Sequence, residues 1–442
     1  MTIRLSDHFD VKRLLRYTAP SIIMMIFTSI YGVVDGYFVS NFAGKTPFAA
    51  VNLIIPLLMI LGCVGFMFGA GGGALIAKTM GEGEDHRANE IFTMVIIVSV
   101  ALGMLLGAIG FAFLKPIARK MGAEGEMLEQ CVLYARIILI AQPFYVLQFE
   151  FQCLLATAEK PRLGLYVTVA AGCTNMLLDA LFVGAFRWGI AGAAAATALS
   201  QMVGGLFPLI YFARENDSSL RLVRTKLDLG EIGKVCTNGS SEFMSNISMS
   251  LVSMLYNIQL IKYAGQDGIA AYGVLMYVSM IFQAIFVGYA VGVAPVIGYH
   301  FGAKNTGELS GLLKRSLMMI AVCAAAMFAA GECLSAPLSR MFVGYDLGLF
   351  AMTKHAFAIF SFSFQFTGFS IFGSSFFTAL NDGLTSALIS FLRTLVFQVA
   401  AVLLLPLIWQ LDGIWLSIVG AEAMALIVTA LFLIQKRKRY GY

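Results

Sequence analysis

The 442-residue chain is 59% hydrophobic and 12% charged, with a mean hydropathy of +0.83, where soluble domains run at about 45–50% apolar and about 25% charged. That excludes a water-soluble globular protein. At about 20 apolar residues per crossing, the length leaves room for a dozen spanning helices and little for a separate soluble domain.

In chain order, apolar runs fall at 17–39, 50–77, 91–113, 130–156, 163–185, 190–212, 236–262, 269–299, 312–333, 353–380, 384–408 and 412–434. Runs of this length are too long for outer-membrane strands, which alternate over about ten residues, so the chain is expected to be an all-α integral membrane protein with twelve transmembrane helices. The N-terminus is polar through Arg16 and the first run is long enough to span, which predicts a signal anchor rather than a removed signal peptide. With twelve crossings both termini share a side. The segments on that side carry 20 Lys and Arg and the opposite loops carry 8, so the positive-inside rule places both termini and the central connection in the cytoplasm of a plasma-membrane protein. The final KRKR reads as a headgroup anchor, and the net charge of +5 then needs no nucleic-acid partner. Seven scattered cysteines form no CxxC pattern and read as small apolar residues.

The longest polar stretch, 214–235, separates six spans from six, giving lobes 1–213 and 236–442 around a cytoplasmic linker. Shifting the chain by 221 residues lays AGKTPFAAV at 43 over AGQDGIAAY at 264, and the register holds to Gly81 over Gly302 with nine identities in 39 positions. Because the offset spans an even number of crossings, the halves are parallel and related by a pseudo-two-fold along the membrane normal, with a cleft between two six-helix bundles.

A charge at the centre of a membrane helix costs at least about 2.5–3.5 kcal/mol, so each one predicts a cavity or a partner. Asn175 and Asp179, four apart in span 5, project from one face a turn apart. If the first six helices form one bundle, Asp35 of span 1 and Thr197 of span 6 can join them. Two carboxyls, an amide and a hydroxyl suit a proton or a small hard cation equally, and residue type does not choose between H+ and Na+. Pro20, early in span 1, removes a helix hydrogen bond and is a candidate bend. Glu150, Gln148 and Gln152 of span 4 are candidate cavity residues. Glu242 and Glu422 are the acids of the second half, one of which Arg393 can neutralise. Methionine and aromatic walls beside acids favour lipophilic cations. The glycines of 65–83 lack GK[ST] and read as close helix packing. No histidine spacing or catalytic triad pattern points to an enzyme, and no cofactor beyond H+ or Na+ is expected.

The early APSIIMMIFTSIYGVVDGYFVSNFAG, the APVIGYHFGAKN after span 8 and the GIAGAAAAT opening span 6 resemble the multidrug and toxic compound extrusion (MATE) transporters along essentially the whole chain. In the prokaryotic branch of that family whose coupling site lies in the N-terminal lobe, an aspartate of the first helix works with an Asn-x-x-x-Asp pair of the fifth and a threonine of the sixth. Asp35, Asn175, Asp179 and Thr197 match that set, while Glu242 resembles a seventh-helix glutamate used by other relatives. The resemblance implies a monomeric secondary active transporter, exporting organic cations or amphipathic drugs in exchange for H+ or Na+ by alternating access. The rival expectation is a lipid-linked precursor flippase of the same superfamily, which should line its cleft with Arg and Lys.

Overall fold

A computed structural model describes residues 3–43 and 45–442. Among the described residues, nine helices are long and apolar enough to cross a membrane, and two bent pairs do so jointly. One of the nine, Leu229–Gly302, is 74 residues long, about 110 Å of helix against a hydrocarbon core of about 30 Å. Gly265, at φ 61° and ψ −146°, folds it into two crossings. The expected twelve spans result, all helical.

Span 1 is Val11–Phe38, ending in a π-helical turn Val39–Ala43; span 2 is Lys45–Gly62 with Val64–Gly81; span 3 is Asp85–Lys120. Span 4 pairs Gly125–Ile140 with Gln142–Thr157. Span 5 is Pro161–Asp179 followed by the π turn Ala180–Ala185, and span 6 is Gly189–Ala213. Spans 7 and 8 are the arms of Leu229–Gly302. Span 9 is Thr306–Val343, and span 10 pairs Leu347–Ser361 with Phe364–Ala379. Span 11 runs Gly383–Phe391, π turn Leu392–Val396 and Phe397–Leu404, and span 12 lies within Pro406–Tyr440.

Two crossings that read as single runs are sharply bent, span 4 by 62° and span 10 by 48°. In span 4 the break at Ala141 precedes Pro143, which has no N–H to give and disfavours helical backbone just before it. Pro20 sits inside the uninterrupted helix Val11–Phe38. The linker is shorter than 214–235: helix resumes at Leu229, because the Asp228 carboxylate accepts from the amides of Gly230 and Glu231. Before that cap the linker lies along span 3. The Arg221 amide donates to Asn89 Oδ1 at 2.7 Å and the Val223 amide to Thr93 Oγ1 at 3.0 Å. Arg87 of span 3 then donates to Asp228 Oδ2 at 3.0 Å.

The backbone repeats its own exceptions. Left-handed φ values recur at Gly83 and Lys304, at Glu159 and Asn381, and at Arg187 and Gln410, always in the turn between corresponding spans of the two halves. Five of these six are not glycine, so each is a turn geometry that the surrounding helix ends impose.

Both termini pack on one face of the bundle. The Phe9 amide donates to Glu308 Oε1 at 3.0 Å, at the start of span 9, and Gly441 lies against Thr306. At this face spans 2 and 8 of opposite halves close on each other. A Cβ on Gly81 would fall on the Tyr299 carbonyl oxygen, and one on Gly302 on the Lys78 carbonyl oxygen. Only glycine lets the two backbones touch there. Deeper in, Gly239 of span 7 meets the backbone of Met67 in span 2, and Gly288 of span 8 meets Ile22 in span 1.

Candidate functional site: a carboxyl cluster and a central cavity

Span 5 turns Asn175 and Asp179 inward, at 1% and 0% exposure. Asn175 Nδ2 donates to Thr197 Oγ1 of span 6 at 3.4 Å. The Asp35 carboxyl faces both Asp179 and Asn175. The four expected residues from spans 1, 5 and 6 therefore meet in one place. A π turn begins directly after Asp179 and another four residues after Asp35; such turns widen the helix and shift its side-chain register, and they concentrate at functional positions.

The cluster is short of donors. Asp35 Oδ1, both carboxyl oxygens of Asp179 and Asn175 Oδ1 are buried and have no hydrogen-bond partner among the described residues. Two neighbouring carboxylates cannot both stay ionised in a low-dielectric interior without a shared proton or a bound cation. The oxygen-only donor set suits a proton or a hard monovalent ion. Two tyrosines complete the surroundings: Tyr134 reaches Thr197, and Tyr31 reaches Gln148. The sequence reading missed both, because a tyrosine in an apolar run reads as a packing or interface residue.

Between the halves lies a cavity of about 550 Å3. Span 1 contributes Met25, Thr28 and Ser29, on the stretch leading to Asp35, but none of the four cluster residues lines it. Glu242, Arg393 and Glu422 do. Arg393 Nε donates to Glu422 Oε1 at 3.1 Å and Oε2 at 2.9 Å, so Glu422 is the neutralised acid, and Glu242, whose carboxyl has no hydrogen-bond or ion-pair partner among the described residues, lies within the field of Arg393. Two acids against one base give the wall an acidic excess. Met249, Met276, Tyr256 and Tyr272 supply adaptable apolar surface beside it.

Glu150, Gln148 and Gln152 do not line this cavity, contrary to the expectation from span 4. The second half of span 4 packs within the first lobe: Gly69 of span 2 abuts the Glu150 backbone, Ser99 of span 3 faces its carboxyl, and Gly204 of span 6 abuts Gln148. All three side chains are buried, and both Glu150 oxygens lack a partner among the described residues.

The MatE family model matches residues 20–181 and again 243–403. The chain belongs to the MatE family. The two matched stretches begin and end within two residues of the 221-residue shift that superposes the halves, so the MatE unit occurs once per lobe. The chain is 28% identical to the multidrug export protein MepA of Staphylococcus aureus strain COL over 329 residues, covering 73% of this chain and 72% of that protein. MepA of Staphylococcus saprophyticus is 28% identical over 367 residues, covering 81% of this chain and 80% of its own. In fold, the crystal structure of a MATE protein in complex with MaL6 superposes with a TM-score of 0.93 at 23% identity, covering 98% of each chain. A MATE protein in the straight conformation superposes at 0.92 with 23% identity, covering 98% of this chain and 97% of that one. The fold is thus the twelve-helix, two-lobed MATE architecture of a membrane transporter.

Proposed function

We propose that this MatE protein is a secondary active efflux transporter, exporting organic cations or amphipathic drugs in exchange for H+ or Na+ by alternating access. The observation that carries the reading is the Asp35–Asn175–Asp179–Thr197 cluster, whose oxygens converge with too few donors. A proton or sodium ion supplies the missing positive charge. Cargo would occupy the central cavity, where Glu242 outweighs the internally paired Arg393 and Glu422. That acidic excess disfavours the anionic headgroup a flippase must carry. The multidrug export named in the MepA relatives supports the same cargo class.

Span 1 would link the two ligands. It presents Thr28 and Ser29 to the cavity and Asp35 to the cluster, so an ion that repositions Asp35 changes the cargo wall, and linkage makes the effect reciprocal. Pro20 lies where span 1 meets the other lobe, two residues from the contact of Ile22 with Gly288; a bend there would move both. The face carrying the termini is cytoplasmic on the Lys and Arg asymmetry, which puts the Gly81–Gly302 closure on the cytoplasmic side. Each chain contains both lobes and a full cleft, so it works as a monomer in the plasma membrane.

The test is transport of a fluorescent lipophilic cation by the purified protein in proteoliposomes, with a pH gradient and a sodium gradient imposed separately. Antiport requires that one of the two gradients drive it. No response to either, from folded protein, refutes the reading.

A further inference from the structure

The segment before span 1 crosses from one half to the other. It is folded into a turn, in which the Asp7 amide donates to the Arg4 carbonyl and the Arg4 amide to Asp7 Oδ2, each at 3.2 Å. From that turn the Leu5 amide donates to Glu159 Oε1 at 2.6 Å, between spans 4 and 5 of the first half. Four residues on, the second half holds the same segment. The Phe9 amide donates to Glu308 Oε1 at 3.0 Å, His8 Nδ1 lies 2.6 Å from Glu308 Oε2, and Arg315 donates to both the Phe9 carbonyl and Glu308. The Leu5 side chain and the Phe9 ring are fully buried, the ring edge-on to Tyr17 of span 1 and His300 of span 8.

Helix capping does not account for Glu308. It stands three residues after Asn305, the N-cap of span 9, where a capping box would turn its carboxylate back onto the Asn305 amide. That amide donates instead to the His300 carbonyl at 3.0 Å, and the buried carboxylate reaches across to the N-terminal segment. The internal repeat supplies a second case. The residue 221 positions before Glu308 is Arg87, three residues after Glu84, the N-cap of span 3. It too grips a segment that leads into the opposite half, donating to Asp228 Oδ2 at 3.0 Å just before span 7. The two charges are opposite, but the repeat position and the task are the same.

We propose that these two straps form a latch, anchored at Arg87 and Glu308, which holds the halves together at the face carrying the termini and must let go before that face opens. The N-terminal strap rests on a single hydrogen bond at Glu159 and on a carboxylate, a guanidinium and a buried ring at its other end. It therefore parts first from Glu159 and stays on span 9. The linker strap keeps its hold on span 3 through Asn89 and Thr93, so its yielding end is the Arg87–Asp228 contact. Both straps lie on the face where Gly81 and Gly302 bring the backbones of spans 2 and 8 together, and they bind from outside what the glycines permit within.

Hydrogen exchange, followed segment by segment by mass spectrometry on the full chain in lipid nanodiscs, reads opening at 78–84 and 299–305, around Gly81 and Gly302. Glu159→Ala and Glu308→Ala cut the N-terminal strap at its two ends. Each should speed exchange in those segments about tenfold, and the two together no further, because a strap cut once no longer ties. Arg87→Ala cuts the other strap, and its effect should multiply that of Glu308→Ala. The turn at 344–346, on the opposite face, should exchange as in the parent. Phe9→Ala, which withdraws the ring and leaves Glu308 to Arg315, replaces Glu308→Ala if that variant does not fold. Carboxylates that only steady their own helix ends predict effects of Glu159 and Glu308 that multiply. The latch is refuted by that result, by exchange at 78–84 and 299–305 that stays at the parent's rate in Glu308→Ala, or by equal acceleration at 344–346. Exchange needs neither cargo nor a gradient, so a parent that fails to transport overturns the antiport reading without touching the latch.

Discussion

The Arg393–Glu422 pair gives a stability prediction whose size follows from its surroundings. Glu422 is 4% exposed and accepts from Arg393 Nε with both oxygens, at 2.9 and 3.1 Å. Removing one partner of such a buried pair leaves the other charge uncompensated, at a cost of about 3–5 kcal/mol, whereas replacing both by apolar groups of similar volume is close to neutral. Arg393→Met alone should therefore lower the thermal midpoint sharply, and Arg393→Met with Glu422→Met should recover most of the loss. For a unit of about 200 residues, the entropy of unfolding converts each kcal/mol into about 2–4 °C, so the single variant should fall by roughly 10 °C. The assay is heating of purified protein in detergent with detection of the monodisperse fraction, for the parent, both single variants and the double. If the single Arg393 variant matches the parent, or the double is no better than the single, the pair is not the buried, mutually neutralising contact inferred from its geometry.

Asp35→Asn and Asp179→Asn should each abolish gradient-driven transport while the protein still binds its cargo; transport equal to the parent in both variants removes the cluster from the coupling site. Gly81→Val or Gly302→Val places side-chain carbon on a facing carbonyl oxygen, so either should hold the ends of spans 2 and 8 apart and shift a cysteine-accessibility pattern toward the terminal face. An unchanged pattern would mean that the closure is not a tight backbone contact. Asp228 sits below the ordinary aspartate range because the Glu231 amide and the Arg87 guanidinium stabilise its charge. A depressed carboxyl contributes above its unfolded value near 3.8 and ceases to contribute as pH falls through the folded value. Protection of the Gly230 and Glu231 amides from hydrogen exchange, corrected for intrinsic rate, should accordingly persist from neutral pH to about 4 and fall in stronger acid.

Much of this architecture was legible because membranes simplify the code. Twelve apolar runs and one polar interruption suffice for spans and halves. The repeat register ends on Gly81 over Gly302, and the structure shows these two in a reciprocal contact that the register alone does not give: each glycine abuts the residue corresponding to the other's neighbour, Tyr299 in one half and Lys78 in the other. Asn175 and Asp179 were legible because helical spacing and the cost of a buried charge pointed the same way. The facing of Glu150 and Gln148 was not, since the same helix also presents Cys153 and Thr157 to the cavity, and residue type alone does not say which face of span 4 carries its polar groups to the cavity and which into its own lobe. The hydroxyl stripe that span 10 turns to the cavity was missed for a different reason. Ser363, Thr367, Ser370, Ser374 and Thr378 recur every three or four residues and so mark one face of span 10, but single hydroxyls are inexpensive in membrane helices and draw little notice individually.

Set side by side, the two halves share a backbone and divide the chemistry. Their left-handed turns, bent fourth helices and closing glycines correspond pairwise, yet the first lobe keeps its carboxyls off the cavity, behind span 1, while the second lobe exposes Glu242, Arg393 and Glu422 to it. A symmetric rocking of two equivalent bodies supplies access to either side but gives no reason for cargo and ion to exclude each other. The asymmetry supplies one. In the proposed antiport, cargo on the acidic wall of the second lobe and an ion at the Asp35 cluster would influence each other through elements that touch both, and span 1 carries a cluster carboxyl and cavity-lining hydroxyls on the same helix, with its Thr18–Ile22 segment packed against Gly288 and Gly292 of the opposite lobe. Coupling should therefore be most sensitive to changes along span 1 that touch neither ligand, and substitutions at Pro20 should alter the exchange ratio before they alter binding of either partner.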